Sequence, residues 1–362
     1  MITLNIITLL KPYGGAQAVA LDHIRYQLQE NHKSILITSN ENNSFIDFID
    51  HKNFTLIILK PLNSSNPLKL AYAFIWIFLY VIKHKPNCIV SHSTIAGVFS
   101  RIIAKINTTK SIHTYHGFNT AHKRIFGKLY LLTEKFMRWF NDTTINVCET
   151  DYNYAIQNNL ILENKAHVVY NSTSFKISDT PKTPENEEIK FVMVARHCSQ
   201  KDHTTLFKAI QKVQNKNFKV DLIGAGELLE EHKKLAKDMG LSKNIRFLGE
   251  VDNVSERLKS YDCSLLISNM EGFSISILES LASALPVIAS DAGGVKEQVI
   301  DNYNGYLIPI KDHDYLAQKL FYIIGNPKQL HLFSRNGIKL VNEKFSIVSF
   351  NKNIHSLYEN NK

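Results

Sequence analysis

The sequence predicts an α/β protein made of two doubly wound parallel-sheet domains. Three observations predict it. Short apolar runs alternate with helical apolar patterns along the chain. The alternation breaks at a polar, aperiodic stretch with two prolines, residues 172–188, and restarts at residue 189. At 362 residues the chain is too long for one ordinary core and fits two domains of common size.

In the first half, residues 2–10 read as a buried strand ended by Lys11-Pro12-Tyr13-Gly14-Gly15, after which 16–29 turn helical. Strands follow at 34–38 and 56–59, and a helix at 68–83. Strand 88–91, helix 96–105, strand 111–115 and helix 128–140 come next, then strand 144–148, helix 151–158 and strand 166–170. The second half pairs strand 189–194 with helix 204–214, 219–223 with 227–239, 245–247 with 254–259 and 263–267 with 274–283. Strand 286–289 leads to a short helix at 294–299, and strand 305–308 to a helix at 315–324. Final helices are predicted at 327–342 and 347–360. Such alternation implies parallel sheets covered on both faces, hence two Rossmann-like domains, 1–171 and 189–342, joined by a linker at 172–188 and facing a cleft. The segment 343–362 is expected to form a helix that packs back on the first domain.

Composition bounds the function. With 44% hydrophobic and 21% charged residues the chain is an ordinary globular protein. Cys88, Cys148, Cys198 and Cys263 match no metal-ligand spacing and are expected to be reduced, structural thiols of a cytoplasmic protein. The start, residues 1–10, is uncharged and lacks the pattern of a secretory signal. The longest apolar run, residues 70–82, is 13 residues, too short to span a bilayer. A well-buried helix is the favoured reading of it, and a helix resting on a membrane surface the other.

Charge is uneven. Residues 1–180 hold 18 Lys/Arg and 11 Asp/Glu, so +7 of the total +9, and residues 60–140 hold 12 basic residues against the single acid Glu134. Such a face favours anions, and a membrane surface or an anionic acceptor is expected. No nucleic-acid partner is expected, because the basic stretch lacks a recognition helix or stacking pattern.

In doubly wound sheets, ligands bind beyond the carboxyl ends of the strands. Several unusual residues fall there. Glu271 and Glu279 enclose Gly272-Phe273-Ser274-Ile275-Ser276-Ile277-Leu278, a turn leading into a helical pattern. Carboxylates accept bonds from sugar hydroxyls, and a helix N-terminus binds phosphate. Arg196 and Lys201 follow the strand 189–194 and suit a diphosphate. Gly14-Gly15 lets backbone approach a phosphate. His116, before Gly117, is placed to reach a cleft, and His92 has a similar placement with a weaker claim. Gly224-Ala225-Gly226 fails as a dinucleotide fingerprint because Leu229 stands at the third glycine position. Asp312-His313-Asp314 reads as a helix cap rather than a metal site, so no metal is expected.

This constellation resembles glycosyltransferase family 4, the retaining group 1 glycosyltransferases of the GT-B fold, over nearly the whole chain. The most specific part is Glu271-Gly272-Phe273 to Glu279, followed by Ala284-Leu285-Pro286 and the Gly293-Gly294 turn. Arg196, Lys201, Gly14-Gly15 and His116-Gly117 match further family positions. Departures are Ser172 in the family's Asn-Gly and Ala195 in place of a glycine. The resemblance implies an enzyme that transfers a sugar from a nucleotide sugar (UDP- or GDP-linked) to a saccharide or lipid-linked oligosaccharide in bacterial surface polysaccharide biosynthesis. It implies no cofactor and no metal, and a peripheral position on the inner face of the cell membrane. Domain 1–171 would bind acceptor and 189–342 the donor. Glu271 would bond the donor sugar, the N–H groups of Phe273 and Ser274 would face the diphosphate, Glu279 would hold the ribose, Arg196 and Lys201 would neutralise the leaving group, and His116 would touch the sugar. A GT-B-fold sugar-nucleotide epimerase and a non-catalytic nucleotide-binding protein are the alternatives.

Overall fold

The computed structural model describes residues 1–10, 14–40, 46, 48–118, 125–173, 175–184, 188–213 and 216–359. It divides into two compact units, Met1–Asn171 with Phe350–Lys362, and Ser172–Ser349. The segment 172–188, expected as a linker, falls in the second unit: Ser178 N–H donates to Ala282 O and Lys182 N–H to Ser334 Oγ. Residues 174 and 185–187 of that segment, and Lys11–Tyr13 of the first loop, lie outside the described residues.

Unit 1 contains β1 (Ile2–Ile7), β2 (Lys33–Thr38), β3 (Phe54–Ile58), β4 (Cys88–His92), β5 (Lys110–Tyr115), β6 (Thr143–Asn146) and β7 (Ala166–Val168). They form one sheet in the order β3-β2-β1-β4-β5-β6-β7, with every pairing parallel. The central strands are buried on both faces, β4 along its whole length, which is why they read as continuous apolar runs. The strand order reverses between β1 and β4, in the register Ile7 to His92. Loops leaving these strands therefore meet at the switch point.

The helices of unit 1 are α1 (Gly15–Gln29), α2 (Pro67–His84), α3 (Thr94–Ile106), α4 (Ile125–Met137) and α5 (Glu149–Gln157). The connections β3 to β4, β4 to β5 and β5 to β6 step across the sheet in one direction. Right-handed crossovers place α2, α3 and α4 on one face of it and α1 on the other.

The structure corrects the expectation of a buried helix at 70–82. Pro67, at the first helical turn, and Lys83-His84 extend α2 to 18 residues, long and apolar enough to cross a bilayer by length and composition alone. Only Ala73, Ile77 and Val81 are buried, packed on Leu4, Ile89 and Ile103. Leu68, Tyr72, Ile75, Leu79 and Ile82 are 46–80% exposed. The apolar pattern reports a helix that is apolar on both sides, of which the sheet covers one.

Unit 2 contains β8 (Ile189–Val194), β9 (Phe218–Ile223), β10 (Ile245–Gly249), β11 (Cys263–Leu266), β12 (Val287–Ser290) and β13 (Gly305–Ile308), all parallel in the order β10-β9-β8-β11-β12-β13. Its helices are α6 (His203–Val213), α7 (Leu229–Asp238), α8 (Val254–Leu258), α9 (Ile275–Ala282), α10 (Val295–Gln298), α11 (His313–Gly325) and α12 (Lys328–Leu340). Here the order reverses between β8 and β11. The last helix, α13 (Ile347–Glu359), runs into unit 1 and packs on α1: Tyr26 Oη meets His355 Nδ1 at 2.6 Å and Gln27 Nε2 donates to Tyr358 Oη at 2.7 Å.

Candidate active site

The switch point of unit 2 carries most of the candidate residues. The loop after β8 is sewn to the segment after β11. Asp202 N–H donates to Ile267 O, Asn269 N–H to Gln200 O, and Gln200 Nε2 to Met270 O at 2.8 Å. Lys201 also forms an antiparallel bridge with Ser268. The stitching brings Lys201 onto Glu271. Their Nζ and Oε1 form an ion pair whose side chains are 12% and 8% exposed. Two charges this far from water hold their place only by mutual pairing or by a polar ligand. Arg196, earlier on the same loop, is exposed, and no hydrogen bond engages its side chain among the described residues.

Sequence reasoning gave Gly224 and Gly226 no role, and the structure gives them one. Gly224 has φ +137°, and a Cβ there would lie 2.2 Å from Ala195 O. Gly226 has φ +154° with a Cβ 2.3 Å from His197 O. The end of β9 thus lies directly against the loop of Arg196, whose backbone course it fixes.

The helix after Glu271 begins one residue later than expected. Ser274 is its N-cap, and its N–H is taken by Gln298 Oε1 at 2.8 Å, while Gln298 Nε2 donates back to Ser274 O at 2.7 Å. The expectation that the Ser274 N–H faces a diphosphate is therefore corrected. The first-turn amides of α9, those of Ile275, Ser276 and Ile277, have no intrahelical acceptor and carry the positive end of the helix dipole. Phe273 is buried against Phe345, rings 5.3 Å apart, and so anchors the turn as well. Gly294 N–H donates to Gly272 O at 2.9 Å, and Gly293, at φ +63°, makes that approach possible. The two glycine signals of the sequence are one contact.

Glu279 lies in α9 and is half-buried, with no side-chain hydrogen bond among the described residues. Desolvation pushes its carboxyl up to about 7. A carboxyl held near neutrality is ready to take hydroxyl donors. Asp312 caps α11, accepting from Tyr315 N–H at 2.8 Å, as its sequence context predicts.

In unit 1, Gly14 is the N-cap of α1 and Gly15 its first residue. Gly14 has extended backbone, and a Cβ there would meet only Gln17 Oε1, at 3.4 Å. Neither strain nor crowding demands glycine at Gly14, so the missing side chain leaves room at a helix start. His116 follows β5 and is half-buried. Its Nε2 is 3.1 Å from Nδ1 of His92 at the end of β4, which promotes His92 from a weak candidate to a direct partner. Desolvation lowers His116 to about 4, so it is a neutral hydrogen-bonding group at pH 7. Ser93, at φ +76°, bonds Thr8 through its hydroxyl at 2.6 Å and ties β4 to β1.

Comparison with known proteins agrees with this geometry. The family described as glycosyltransferase family 4 matches residues 13–174, and the family of group 1 glycosyl transferases matches residues 175–340. The O-antigen biosynthesis glycosyltransferase WbnH of Escherichia coli is 29% identical, covering 85% of this chain and 87% of its own. An E. coli UDP-Gal:alpha-D-GlcNAc-diphosphoundecaprenol alpha-1,3-galactosyltransferase is 24% identical, covering 97% of this chain and 95% of its own. Among solved structures, Anabaena HepE in complex with UDP and glucose has a TM-score of 0.85 at 18% identity, with 99% of each chain covered. The chain therefore belongs to glycosyltransferase family 4, the group 1 glycosyltransferases, and has the GT-B fold.

Proposed function

We propose that this glycosyltransferase moves a sugar from a UDP-sugar to a lipid-linked saccharide, with retention of anomeric configuration, in the assembly of a bacterial surface polysaccharide. The observation that carries the reading is the shielded Lys201–Glu271 pair, with exposed Arg196 on the same loop as Lys201 and the open amides of α9 on the helix that follows Glu271. Glycosyl transfer passes through an oxocarbenium-like state while charge builds on the departing diphosphate. Arg196, Lys201 and the amides of Ile275, Ser276 and Ile277 are preorganised donors for that charge and need no metal. As the diphosphate draws on Lys201, Glu271 is released to accept the sugar hydroxyls. Glu279 holds the ribose, and His116 with His92 offers a neutral contact to the sugar. The acceptor hydroxyl attacks from the face the diphosphate leaves, and a phosphate oxygen takes its proton.

The lipid-linked acceptor and a peripheral place on the inner face of the cell membrane are supported by unit 1. Its α2 presents an uncovered apolar stripe among exposed lysines. The E. coli relative named for a diphosphoundecaprenol substrate supports the acceptor class, and the UDP bound to HepE supports the donor class.

A panel of nucleotide sugars, assayed with and without a lipid-diphosphate saccharide, tests the reading. Acceptor-dependent release of UDP with an α-linked product is expected. Epimerised nucleotide sugar without transfer, or a glycosyl adduct trapped on Glu271, would overturn the activity or the front-face mechanism respectively.

A further inference from the structure

Unit 2 holds a second polar cluster that transfer does not use. His197 on the loop after β8, His203 at the start of α6 and His232 in α7 are 0%, 1% and 5% exposed. One ring nitrogen of each lies within 4.8 Å of one from each of the others. His197 Nδ1 and His232 Nδ1 are 2.9 Å apart, and the three ring centroids are separated by 4.2, 4.5 and 5.2 Å. Imidazole nitrogens bind zinc at about 2.0–2.1 Å, so two that share an ion stand about 2.9–3.4 Å apart. The His197–His232 separation is already that of co-ligands, and His203 is within a side-chain adjustment of joining them.

The surroundings fit the same role. His203 Nδ1 is 3.1 Å from Lys201 O, so its N–H donates to a backbone carbonyl and its Nε2 keeps a lone pair. This is how ligating histidines are oriented by their second nitrogen. His197 Nδ1 faces His232, and its other nitrogen, Nε2, is buried without a hydrogen-bond partner, so no second-nitrogen bond competes for or fixes its tautomer. Phe207 packs 5.9 Å from His232 and Phe247 5.8 Å from His197, an aromatic wall that keeps the cluster dry. The adjacent carboxylate, Asp202, spends both oxygens on Thr205 N–H and Oγ1 at the start of α6. The donor set is therefore nitrogen only, which selects zinc-like ions over magnesium or calcium.

We propose that His197, His203 and His232 form a three-histidine site for a borderline divalent transition-metal ion, of which zinc is the type. The ion ties the loop after β8 to α6 and α7. His197 follows Arg196 directly and His203 stands two residues after Lys201, so the ion orders the segment that presents both cations. Its role is structural: it holds the loop and leaves the leaving group to Arg196 and Lys201.

Tag-free protein, stripped with chelator and titrated with zinc and then with cobalt(II), tests the site directly. About one ion per chain, a visible cobalt absorption of low-coordinate nitrogen ligation, and a higher melting temperature with metal are expected. His203→Ala and His232→Ala should each lose the cobalt band while keeping their circular dichroism. Wild-type protein that holds no stoichiometric metal and shows no such band overturns the proposal, whatever the variants do. Equal binding by folded variants overturns it too. The readout is metal binding, so the result does not depend on whether the chain transfers sugar.

Discussion

Glu271 and Glu279 are the same residue type eight positions apart, and their surroundings make them different groups. Glu271 pairs with Lys201, whereas Glu279 has no ion-pair partner among the described residues and is pushed up to about 7 by desolvation. The folded value of Glu279 lies above its ordinary one. Its contribution to stability is thus complete below the unfolded value and lost as pH rises through about 7. Glu279→Gln removes that loss, so its melting temperature relative to wild type should rise between about pH 5 and pH 8. Ribose hydroxyls favour the ionised form, so UDP binding near neutral pH should release protons, and calorimetry in two buffers reads this out. Glu279→Gln should bind UDP more weakly and release none. If proton release persists in the variant, Glu279 is not the ribose ligand. Lys201→Ala acts on both state and rate. It leaves Glu271 without that partner and, on the proposed mechanism, removes one donor to the leaving group, for an expected loss of about 100- to 1,000-fold in turnover. Breaking a buried pair also costs roughly 3–5 kcal/mol, so denaturant midpoints should fall in parallel.

The elements were legible because the sheets are parallel and buried on both faces. The run Phe191-Val192-Met193-Val194 could pack nowhere else, and its restart after residue 188 marks the second unit. The loops were legible only in part. The start of α9 is set by Gln298, which takes the Ser274 amide from 24 residues away, and no local pattern announces that bond. Gly224 and Gly226 fail as a fingerprint because Leu229 stands at the third glycine position, and their actual partner, the backbone of residues 195–197, is remote in sequence. His197, His203 and His232 span three elements, so no spacing rule joins them. The glycine contact has a direct consequence. Gly224→Ala adds a methyl 2.2 Å from Ala195 O at a φ of +137°, which L residues rarely adopt. Strain of about 1–3 kcal/mol must displace the Arg196 loop. Both melting temperature and turnover should drop, while Gly240→Ala, at φ +75° with nothing within 4 Å, should lower stability with little effect on turnover. Equal turnover in the two variants would remove the β9 turn from the account of the site.

At the scale of the whole molecule, the surface of unit 1 joins apolar residues to basic ones. On α2 of unit 1 the exposed residues Leu68, Tyr72, Ile75, Leu79 and Ile82 recur at helical spacing, and on α4 and just beyond it Leu129, Leu132, Phe136 and Trp139 are 59–65% exposed. Crossover handedness puts both helices on the same face of the sheet. Lys69, Lys83, Lys85, Lys105, Lys128 and Lys135 are exposed around them. The one acid of residues 60–140, Glu134, is turned inward, with Arg101 Nη1 at 2.7 Å and both side chains fully buried. The exposed charge of this stretch is therefore cationic among the described residues. An apolar stripe rimmed by lysines matches the boundary between acyl chains and anionic headgroups, where each cation contributes roughly 1 kcal/mol. A protein partner of mixed charge would leave the lysines without that gain. Vesicle co-sedimentation should show binding that grows with anionic lipid content and weakens as salt rises. The triple variant Tyr72→Ser, Ile75→Ser, Leu79→Ser should lose most of that binding. Its melting temperature should stay near the wild-type value, because α2 is held by Ala73, Ile77 and Val81 on the opposite side. Its turnover with a water-soluble acceptor analogue should be unchanged, and turnover with a vesicle-embedded acceptor reduced. A variant that still binds vesicles like wild type would mean that the stripe is not the surface on which the enzyme meets its lipid.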